Sequence, residues 1–190
     1  QHVTETIIGK LTVAEIMRYA FRFKNGLAAR RQMQQHIENI LQQLLLDHRV
    51  LGRKFENCSG GEQKRIAIAQ ELMALLPPAF IFIDEPTTGL DSNAALLVMT
   101  CLERLVNTFP RMTIITSIHA PSDDILNMFN RLYILAKGGV VVYSDRPQSI
   151  KPTLERELGL ELDPHEPPVE VLLKIACNGT ADDQVVRLAD

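Results

Sequence analysis

The stretch FIFIDEPTTGLDS, which runs from Phe80 to Ser92, places four apolar residues directly before two adjacent carboxylates, Asp84 and Glu85. The apolar run predicts a short buried strand. A carboxylate that is buried without a partner costs much free energy and tends to be neutralised. A strand that ends in two carboxylates therefore predicts either a bound cation or a strand end that opens onto a site.

The composition excludes several classes of protein. The 190 residues suffice for one domain or part of one, and a hydrophobic content of 46% suffices for a sizeable core. A net charge of −3 provides no basic surface for nucleic acid. The three cysteines are widely spaced and form no CxxC pair, which favours reduced thiols in the cytosol over a disulfide framework or a zinc site.

Membrane and targeting segments are not evident in the sequence. No stretch reaches the roughly 18 apolar residues that a membrane helix needs, and no signal peptide precedes the first helical pattern. The chain begins with Gln1 rather than Met, so we expect it to be a piece of a longer protein.

The middle of the chain alternates between helical and extended patterns. The predicted elements are a helix over 62–75, a strand over 80–83, a helix over 93–107 and a strand over 112–118. Such alternation favours a parallel α/β sheet, whose ligands bind beyond the carboxyl ends of the strands. Since Asp84 and Glu85 follow one strand and His119 follows the next, we expect these three side chains at one site.

A helical pattern starts the chain. Thr12 and Glu15 form a capping-box pattern, and the pair Asn25-Gly26 stops the helix that follows. We expect the aromatic residues of this helix to pack in the core rather than to form a partner surface; they are Tyr19, Phe21 and Phe23.

Weaker patterns predict the remaining elements. They are a helix over 30–47, a loop over 49–58, a short helix over 122–129, a hairpin of 132–135 and 140–143 around the turn 137–139, and helical structure after Pro147 that is interrupted over 163–168.

The segment Ser59-Gly60-Gly61-Glu62 precedes a predicted helix and has two interpretations. In the first, Ser59 is an ordinary N-cap in a capping box with Glu62. In the second, the two glycines, which cost about 1 kcal/mol each in a helix relative to Ala, let backbone N–H groups approach an anion closely. A helix N-terminus binds phosphate through such groups and through its dipole.

Asp84 and Glu85 have two interpretations of their own. A carboxylate at a strand end suits Mg²⁺, which keeps most of its waters and takes one or two protein oxygens. A second carboxylate beside it can orient and deprotonate an attacking water. The alternative is a strand that ends at the surface in charged residues.

Taken together, three segments resemble the ATP-binding cassette in order and spacing. Residues 58–65 (CSGGEQKR) resemble its signature motif, residues 84–92 (DEPTTGLDS) its Walker B end and D-loop, and residues 117–119 (SIH) its switch histidine. Further segments are similar to the G subfamily of half-transporters, the White and sterol-exporter type: 11–15 (LTVAE), 118–122 (IHAPS), 129–143 and 167–171 (PPVEV).

The resemblance covers most of residues 12–175 and implies an α/β fold of the P-loop NTPase (RecA-like) type, with a parallel sheet core and a helical signature subdomain. It implies three regions: a helical subdomain over 1–62 that ends in the signature loop, the second half of the ATPase core over 63–150, and a helical segment over 151–190 that leads towards a membrane domain.

The resemblance also implies roles for individual residues. Asp84 would hold Mg²⁺ through water, Glu85 would be the general base, and His119 would contact the γ-phosphate of ATP. The signature residues would grip the γ-phosphate of the nucleotide held by the opposing protomer; they are Ser59, Gly60, Gly61 and Glu62. Asp91 would contact the partner across the dimer, or else belong to a helix N-cap with Ser92.

The sequence departs from the family pattern at several positions. Cys58 stands where Val or Leu is usual, Asn57 where Gly is usual, and Ala120 where Gln is usual. No G-x-x-x-x-G-K-[ST] segment occurs, since Gly9-Lys10 is followed by Leu11. We expect the P-loop and the N-terminal strands to be missing through truncation; the alternative is a natural loss of the P-loop.

The function that the resemblance implies is ATP-driven export, with a lipid or sterol as the expected class of substrate. The expected partners are a second cassette, in a homodimer or heterodimer, and a membrane domain of the same chain, with this segment on the cytoplasmic side of the membrane and no nucleic acid bound. The alternatives are a soluble cassette ATPase of translation or DNA repair and a non-catalytic partner cassette.

Overall fold

The computed structural model describes residues 9–119, 121–163 and 166–189. These residues form two compact units that divide at residue 120. In the described residues, no helix is both long and apolar enough to cross a bilayer. The functional division into 1–62, 63–150 and 151–190 stays a prediction, and the departure at Ala120 lies outside the described residues.

The first unit contains four helices and a pair of strands among its described residues. They are α1 (Val13–Asn25), α2 (Met33–Gln43), α3 (Gly60–Glu71), β1 (Phe80–Ile83), α4 (Ser92–Thr108) and β2 (Thr113–Thr116). Short 3-10 helices at Leu27–Gln32, His48–Gly52 and Phe55–Asn57 join the early helices. The predicted order of helix, strand, helix and strand in the middle of the chain is confirmed.

Helix α1 begins as the sequence predicts. The Thr12 hydroxyl accepts a hydrogen bond from the Glu15 N–H, and the Glu15 carboxylate accepts one from the Thr12 N–H. The helix ends at Gly26, whose φ of +70° few other residues adopt easily. The prediction of core packing is correct for Phe21, which is fully buried, and wrong for Tyr19 and Phe23, which are exposed. Residues 19 and 23 are four apart, so they share the outer face of the helix.

Three predicted helices are shorter in the structure than the sequence pattern suggests. Of the short helix predicted over 122–129, only Asp123–Leu126 is helical. The pattern over 30–47 forms a 3-10 turn and then α2, which ends before Leu45, a residue with a φ of +51°. Helix α3 ends at Glu71 rather than near residue 75. The Asn25 side chain donates to the Met73 carbonyl and accepts from the Leu75 N–H, so the chain after α3 is tied to the end of α1.

Strands β1 and β2 pair in parallel, with Phe80 opposite Thr113 and Ile83 opposite Thr116. The prediction that β1 is buried is wrong for one of its faces, since Phe80 and Phe82 are 60% and 74% exposed while Ile81 is buried. Successive side chains of a strand point to opposite faces of the sheet. Both phenylalanines therefore lie on a face that the described residues leave uncovered.

The second unit is a hairpin packed with helices. Its elements are α5 (Asp123–Leu126), β3 (Leu132–Leu135), β4 (Val141–Asp145), a 3-10 turn at Pro147–Ser149, α6 (Ile150–Leu158), α7 (Pro168–Cys177) and α8 (Asp183–Ala189). The predicted antiparallel hairpin is confirmed. Gly138 and Gly139 both have positive φ, as a tight turn requires. Residues 164 and 165, within the predicted interruption, lie outside the described residues.

Candidate active site

The signature loop forms the N-terminus of α3. Ser59 is the N-cap: its Oγ accepts from the Glu62 N–H at 3.3 Å, and Glu62 Oε2 accepts from the Ser59 N–H at 2.8 Å. The interpretation of this segment as a capping box is confirmed. The grip of these residues on a phosphate stays a prediction.

A second partner holds Glu62 in place. The Arg53 guanidinium donates to Glu62 Oε1, so both oxygens of this carboxylate are engaged. Burial by itself raises the pKa of Glu62, but the hydrogen bonds from Arg53 and Ser59 outweigh burial and bring the pKa below its ordinary value. Glu62 is therefore an ionised structural partner of the loop, and its charge is matched by a guanidinium.

The two glycines of the signature loop face Leu90, which lies two residues before α4, and Ala94 in the first turn of α4. A β-carbon on Gly60 would lie 3.1 Å from Leu90 Cδ2, and a β-carbon on Gly61 would lie 3.3 Å from Ala94 Cβ. Both distances are tighter than most contacts of real β-carbons. The glycines thus have a packing role within the chain, whatever else approaches the N-terminus of α3.

Asp84 and Glu85 lie exposed at the carboxyl end of β1. The Ser117 hydroxyl, which follows the end of β2, donates to Asp84 Oδ1 at 2.5 Å and accepts from the Glu85 N–H at 3.0 Å. The backbone N–H of Ser117 donates to the Ile83 carbonyl at 3.2 Å, which extends the pairing of the two strands by one step. Ser117 therefore joins the ends of the two strands, whereas the expected place of His119 beside Asp84 and Glu85 stays a prediction.

Glu85 adopts an unusual backbone conformation. Its φ of +46° lies in the left-handed region, which costs a residue with a side chain about 1–2 kcal/mol. Neighbouring groups hold it there: Lys64 Nζ donates to its carbonyl at 3.3 Å, and Thr88 Oγ1 donates to its Oε2 at 2.8 Å. Strain of this kind is concentrated at functional sites.

Asp91 and His119 complete the set of predicted site residues. Asp91 is the N-cap of α4 and accepts from the Ala94 N–H at 2.9 Å, so its interpretation as part of a helix cap is confirmed. His119 is exposed and follows Ser117 by two positions. The contact of Asp91 with a partner and the contact of His119 with a phosphate stay predictions.

The described residues include no group of three or more His, Cys, Asp or Glu side chains able to enclose a metal ion. Mg²⁺ does not need such a group, because it is bound through one or two carboxylates together with waters and substrate phosphates. Exposed Asp84, whose carboxylate is oriented by Ser117, fits that mode of binding.

Sequence reasoning missed four side chains of this site. Thr88 and Ser117 lie within the motifs but have no role assigned from the sequence, and Arg53 and Lys64 are not singled out. The signal for Ser117 was its place directly after a strand that is parallel to β1. For Arg53 and Lys64 the sequence offers no periodic signal, because their partners depend on how a loop folds back on α3.

A sequence profile of the ABC transporter family matches residues 1–88. The chain is 32% identical over 192 residues to the broad substrate specificity ATP-binding cassette transporter ABCG2 of Sus scrofa, which covers 98% of this chain and 28% of that protein. It is 29% identical to ABC transporter G family member 22 of Dictyostelium discoideum, over 97% of this chain and 31% of the relative. The chain thus spans less than a third of the length of either relative.

Solved structures of similar fold include MJ1267, an ATP-binding cassette of an ABC transporter, with a TM-score of 0.63 over 78% of this chain and 61% of that one at 24% identity. The dimeric bacterial cassette MJ0796 matches with a TM-score of 0.52 over 66% of this chain and 53% of that one, also at 24% identity. The predicted α/β fold of a P-loop NTPase cassette is confirmed.

Proposed function

Because the chain belongs to the ATP-binding cassette transporter family and is of the G type, we propose that it couples ATP binding and hydrolysis to the export of a substrate across a membrane. The observation that carries this proposal is the junction at the carboxyl ends of β1 and β2, where one hydroxyl joins Asp84 to Glu85. Ligands of parallel sheets bind at such ends.

Each residue has a part in the proposed reaction. Asp84 would hold Mg²⁺ through water, and the ion would offset the charge of the phosphates when bound. Glu85 takes a proton from the attacking water, for which it needs a fixed position. Its backbone is held by Ser117 and Lys64, and its carboxylate by Thr88, which supports this assignment. His119 contacts the γ-phosphate.

The signature loop acts across a dimer of cassettes. Gly60 and Gly61 offer their backbone N–H groups at the N-terminus of α3 to a γ-phosphate held by the second cassette, and Ser59, whose own N–H is bound by Glu62, offers its hydroxyl proton. The pairing of Glu62 with Arg53 supports this role, because an unpaired carboxylate at that position would repel the phosphate. Asp91 meets the partner cassette from the first turn of α4.

The other partner is a membrane domain of the same protein. The segment would lie on the cytoplasmic side of the membrane, and no nucleic acid would be bound. A lipid or sterol is the proposed class of substrate, and it rests on the similarity to G-type transporters alone.

The test uses the full-length protein that carries this chain. Two measurements are combined: retention of the protein in membranes after extraction at alkaline pH, and ATP hydrolysis by the purified protein with and without the Glu85→Gln change. Membrane retention together with hydrolysis that depends on Glu85 is the expected result. Hydrolysis by a protein released from the membrane would favour a soluble cassette ATPase, and ATP binding with no hydrolysis would favour a non-catalytic partner.

A further inference from the structure

The Ser117 hydroxyl contacts both carboxylate residues of the proposed site. We propose that Ser117 is a positioning residue that orients the Asp84 carboxylate and the Glu85 backbone for Mg²⁺-dependent hydrolysis. The proposal rests on the proposed function and deepens it by assigning a role in turnover to the contacts that Ser117 makes.

The direction of the two hydrogen bonds is set by the chemistry of the groups. A serine hydroxyl has one proton to donate and two lone pairs to accept with. The Glu85 N–H can only donate, so the hydroxyl oxygen accepts from it at 3.0 Å. The hydroxyl proton is then directed to Asp84 Oδ1, a carboxylate oxygen that accepts it. One hydroxyl therefore links the two residues, accepting from Glu85 and donating to Asp84.

Ser117 is itself held by the sheet. Its N–H donates to the Ile83 carbonyl at 3.2 Å, in continuation of the β1–β2 ladder, and its carbonyl accepts from Thr116 Oγ1 at 3.1 Å. The hydroxyl is thus fixed relative to the end of β1. Through this hydroxyl, the Asp84 carboxylate and the Glu85 N–H are held at fixed positions relative to the end of β1.

The strained backbone of Glu85 explains why its hydrogen bond with Ser117 matters. A left-handed φ of +46° persists only where surrounding groups oppose the return to ordinary backbone angles. The Glu85 N–H is held by Ser117 and its carbonyl by Lys64, one on each side of the strained residue. Loss of the Ser117 hydroxyl would release the N–H side and, at the same time, the orientation of Asp84.

The experiment compares Ser117→Ala and Ser117→Thr with the wild type in the full-length protein. Two quantities are measured: the kcat of ATP hydrolysis, and the Mg²⁺ concentration that gives half-maximal binding of a fluorescent ATP analogue. For Ser117→Ala we expect a kcat lower by about 10- to 100-fold and a higher half-maximal Mg²⁺ concentration, because hydrogen bonds to a charged group and to a strained backbone are both lost. Ser117→Thr keeps the hydroxyl and should return both values to within about threefold of wild type.

Matched controls distinguish a failure of the proposal for Ser117 from a failure of the proposed function. Thr113→Val removes an exposed hydroxyl from the other end of β2 and should leave both quantities unchanged. If Glu85→Gln suppresses turnover while Ser117→Ala matches the wild type in kcat and in Mg²⁺ dependence, the proposal for Ser117 is wrong and the proposed function stands. If Ser117→Thr is as impaired as Ser117→Ala, the hydroxyl is not the active feature and the proposal is equally wrong. If neither Glu85→Gln nor Ser117→Ala changes turnover, the proposed function is wrong, and the proposal for Ser117, which rests on it, is wrong as well.

Discussion

Gly60 lies against Leu90: a β-carbon at Gly60 would come within 3.1 Å of the Leu90 Cδ2 atom. The first residue of the signature helix is therefore in contact with the loop that follows the two carboxylates. Leu90 is half-buried, and an added methyl group would meet the end of its side chain rather than backbone. This relationship decides how substitutions at Gly60 should be interpreted, because a larger residue disturbs a contact within the chain as well as any contact with a phosphate.

The first prediction concerns Gly60→Asp, with Gly60→Ala as its control. Gly60→Ala adds the β-carbon that approaches Leu90 and should cost about 1 kcal/mol or less, since improved helix propensity offsets part of the crowding. Gly60→Asp adds a carboxylate where a phosphate has to approach, and we expect it to abolish ATP-dependent dimerisation while nucleotide binding by the open protein persists. Analytical ultracentrifugation of the full-length protein measures the difference. Equal dimerisation of the Asp and Ala variants would contradict the role of the signature loop.

The second prediction is that Glu85→Gln suppresses turnover and leaves ATP binding intact. A general base contributes about 10²- to 10⁴-fold to a rate, and glutamine keeps the shape and the hydrogen bond to Thr88 while it loses the basic oxygen. Steady-state hydrolysis by the full-length protein is the measurement. A rate within about twofold of wild type would exclude Glu85 as the base, since the expected loss is at least 10²-fold.

A third prediction follows from the strained backbone of Glu85. Glu85→Gly and Glu85→Ala both remove the carboxylate, but only glycine adopts a φ of +46° without strain. We therefore expect the Gly variant to be more stable than the Ala variant by about 1 kcal/mol, although glycine normally lowers stability through the entropy of the unfolded chain. Thermal unfolding of the two variants tests this order. A higher Tm for the Ala variant would show that Glu85 is not strained in solution.

The fourth prediction concerns pH. The pKa of Glu62 is lower in the folded chain than its ordinary value of 4.5, so its ionised form stabilises the fold. This contribution is complete above the ordinary pKa and is lost as the pH falls towards the lowered pKa of the folded state. The pair with Arg53 is partly exposed, so its value is about 1 kcal/mol or less.

Glu62→Gln is the variant that checks this contribution, by urea unfolding at a series of pH values. The wild type should be the more stable protein at pH 7, and the difference should shrink below about pH 4.5. Glu103→Gln removes a negative charge at an exposed position of α4 and serves as the control. A difference that grows with acidity would contradict the assigned direction of the pKa shift.

The last prediction is that residues 1–190 by themselves bind Mg-ATP weakly and do not hydrolyse it. The sequence contains no G-x-x-x-x-G-K-[ST] segment, which in P-loop proteins surrounds the phosphates with N–H groups and a lysine. The N-terminus of α3 offers only about 0.3–1 kcal/mol at an exposed site, whereas millimolar affinity needs about 4 kcal/mol. Isothermal titration should give a dissociation constant above about 100 µM, equivalent to about 5.5 kcal/mol.

The double variant Asp84→Asn, Glu85→Gln provides a second test by the same titration. It removes two carboxylates beside the expected position of the phosphates, so in the absence of Mg²⁺ it should bind ATP no more weakly than the wild type. A wild-type dissociation constant below about 100 µM would show that the nucleotide site lies elsewhere in the chain.

The sequence by itself determined the features that depend on neighbouring residues. The capping boxes at Thr12 and Ser59 and the hairpin turn at 137–139 were predictable, because each is built from side chains or backbone angles within a few positions. The parallel pairing of β1 and β2 followed from the alternation of helix and strand. The order of the motifs was enough to identify the family.

Only the tertiary structure decided which distant groups meet. Ser117 reaches Asp84 across 33 positions and Lys64 reaches Glu85 across 21, contacts that no local pattern encodes. Exposure was likewise undetermined, since a run of apolar residues predicts a strand but not which of its faces is covered, as Phe80 and Phe82 show. The physical reason is the same in both cases: hydrogen bonding and burial are properties of the packed chain, whereas periodicity records only the direction in which each side chain leaves its own element.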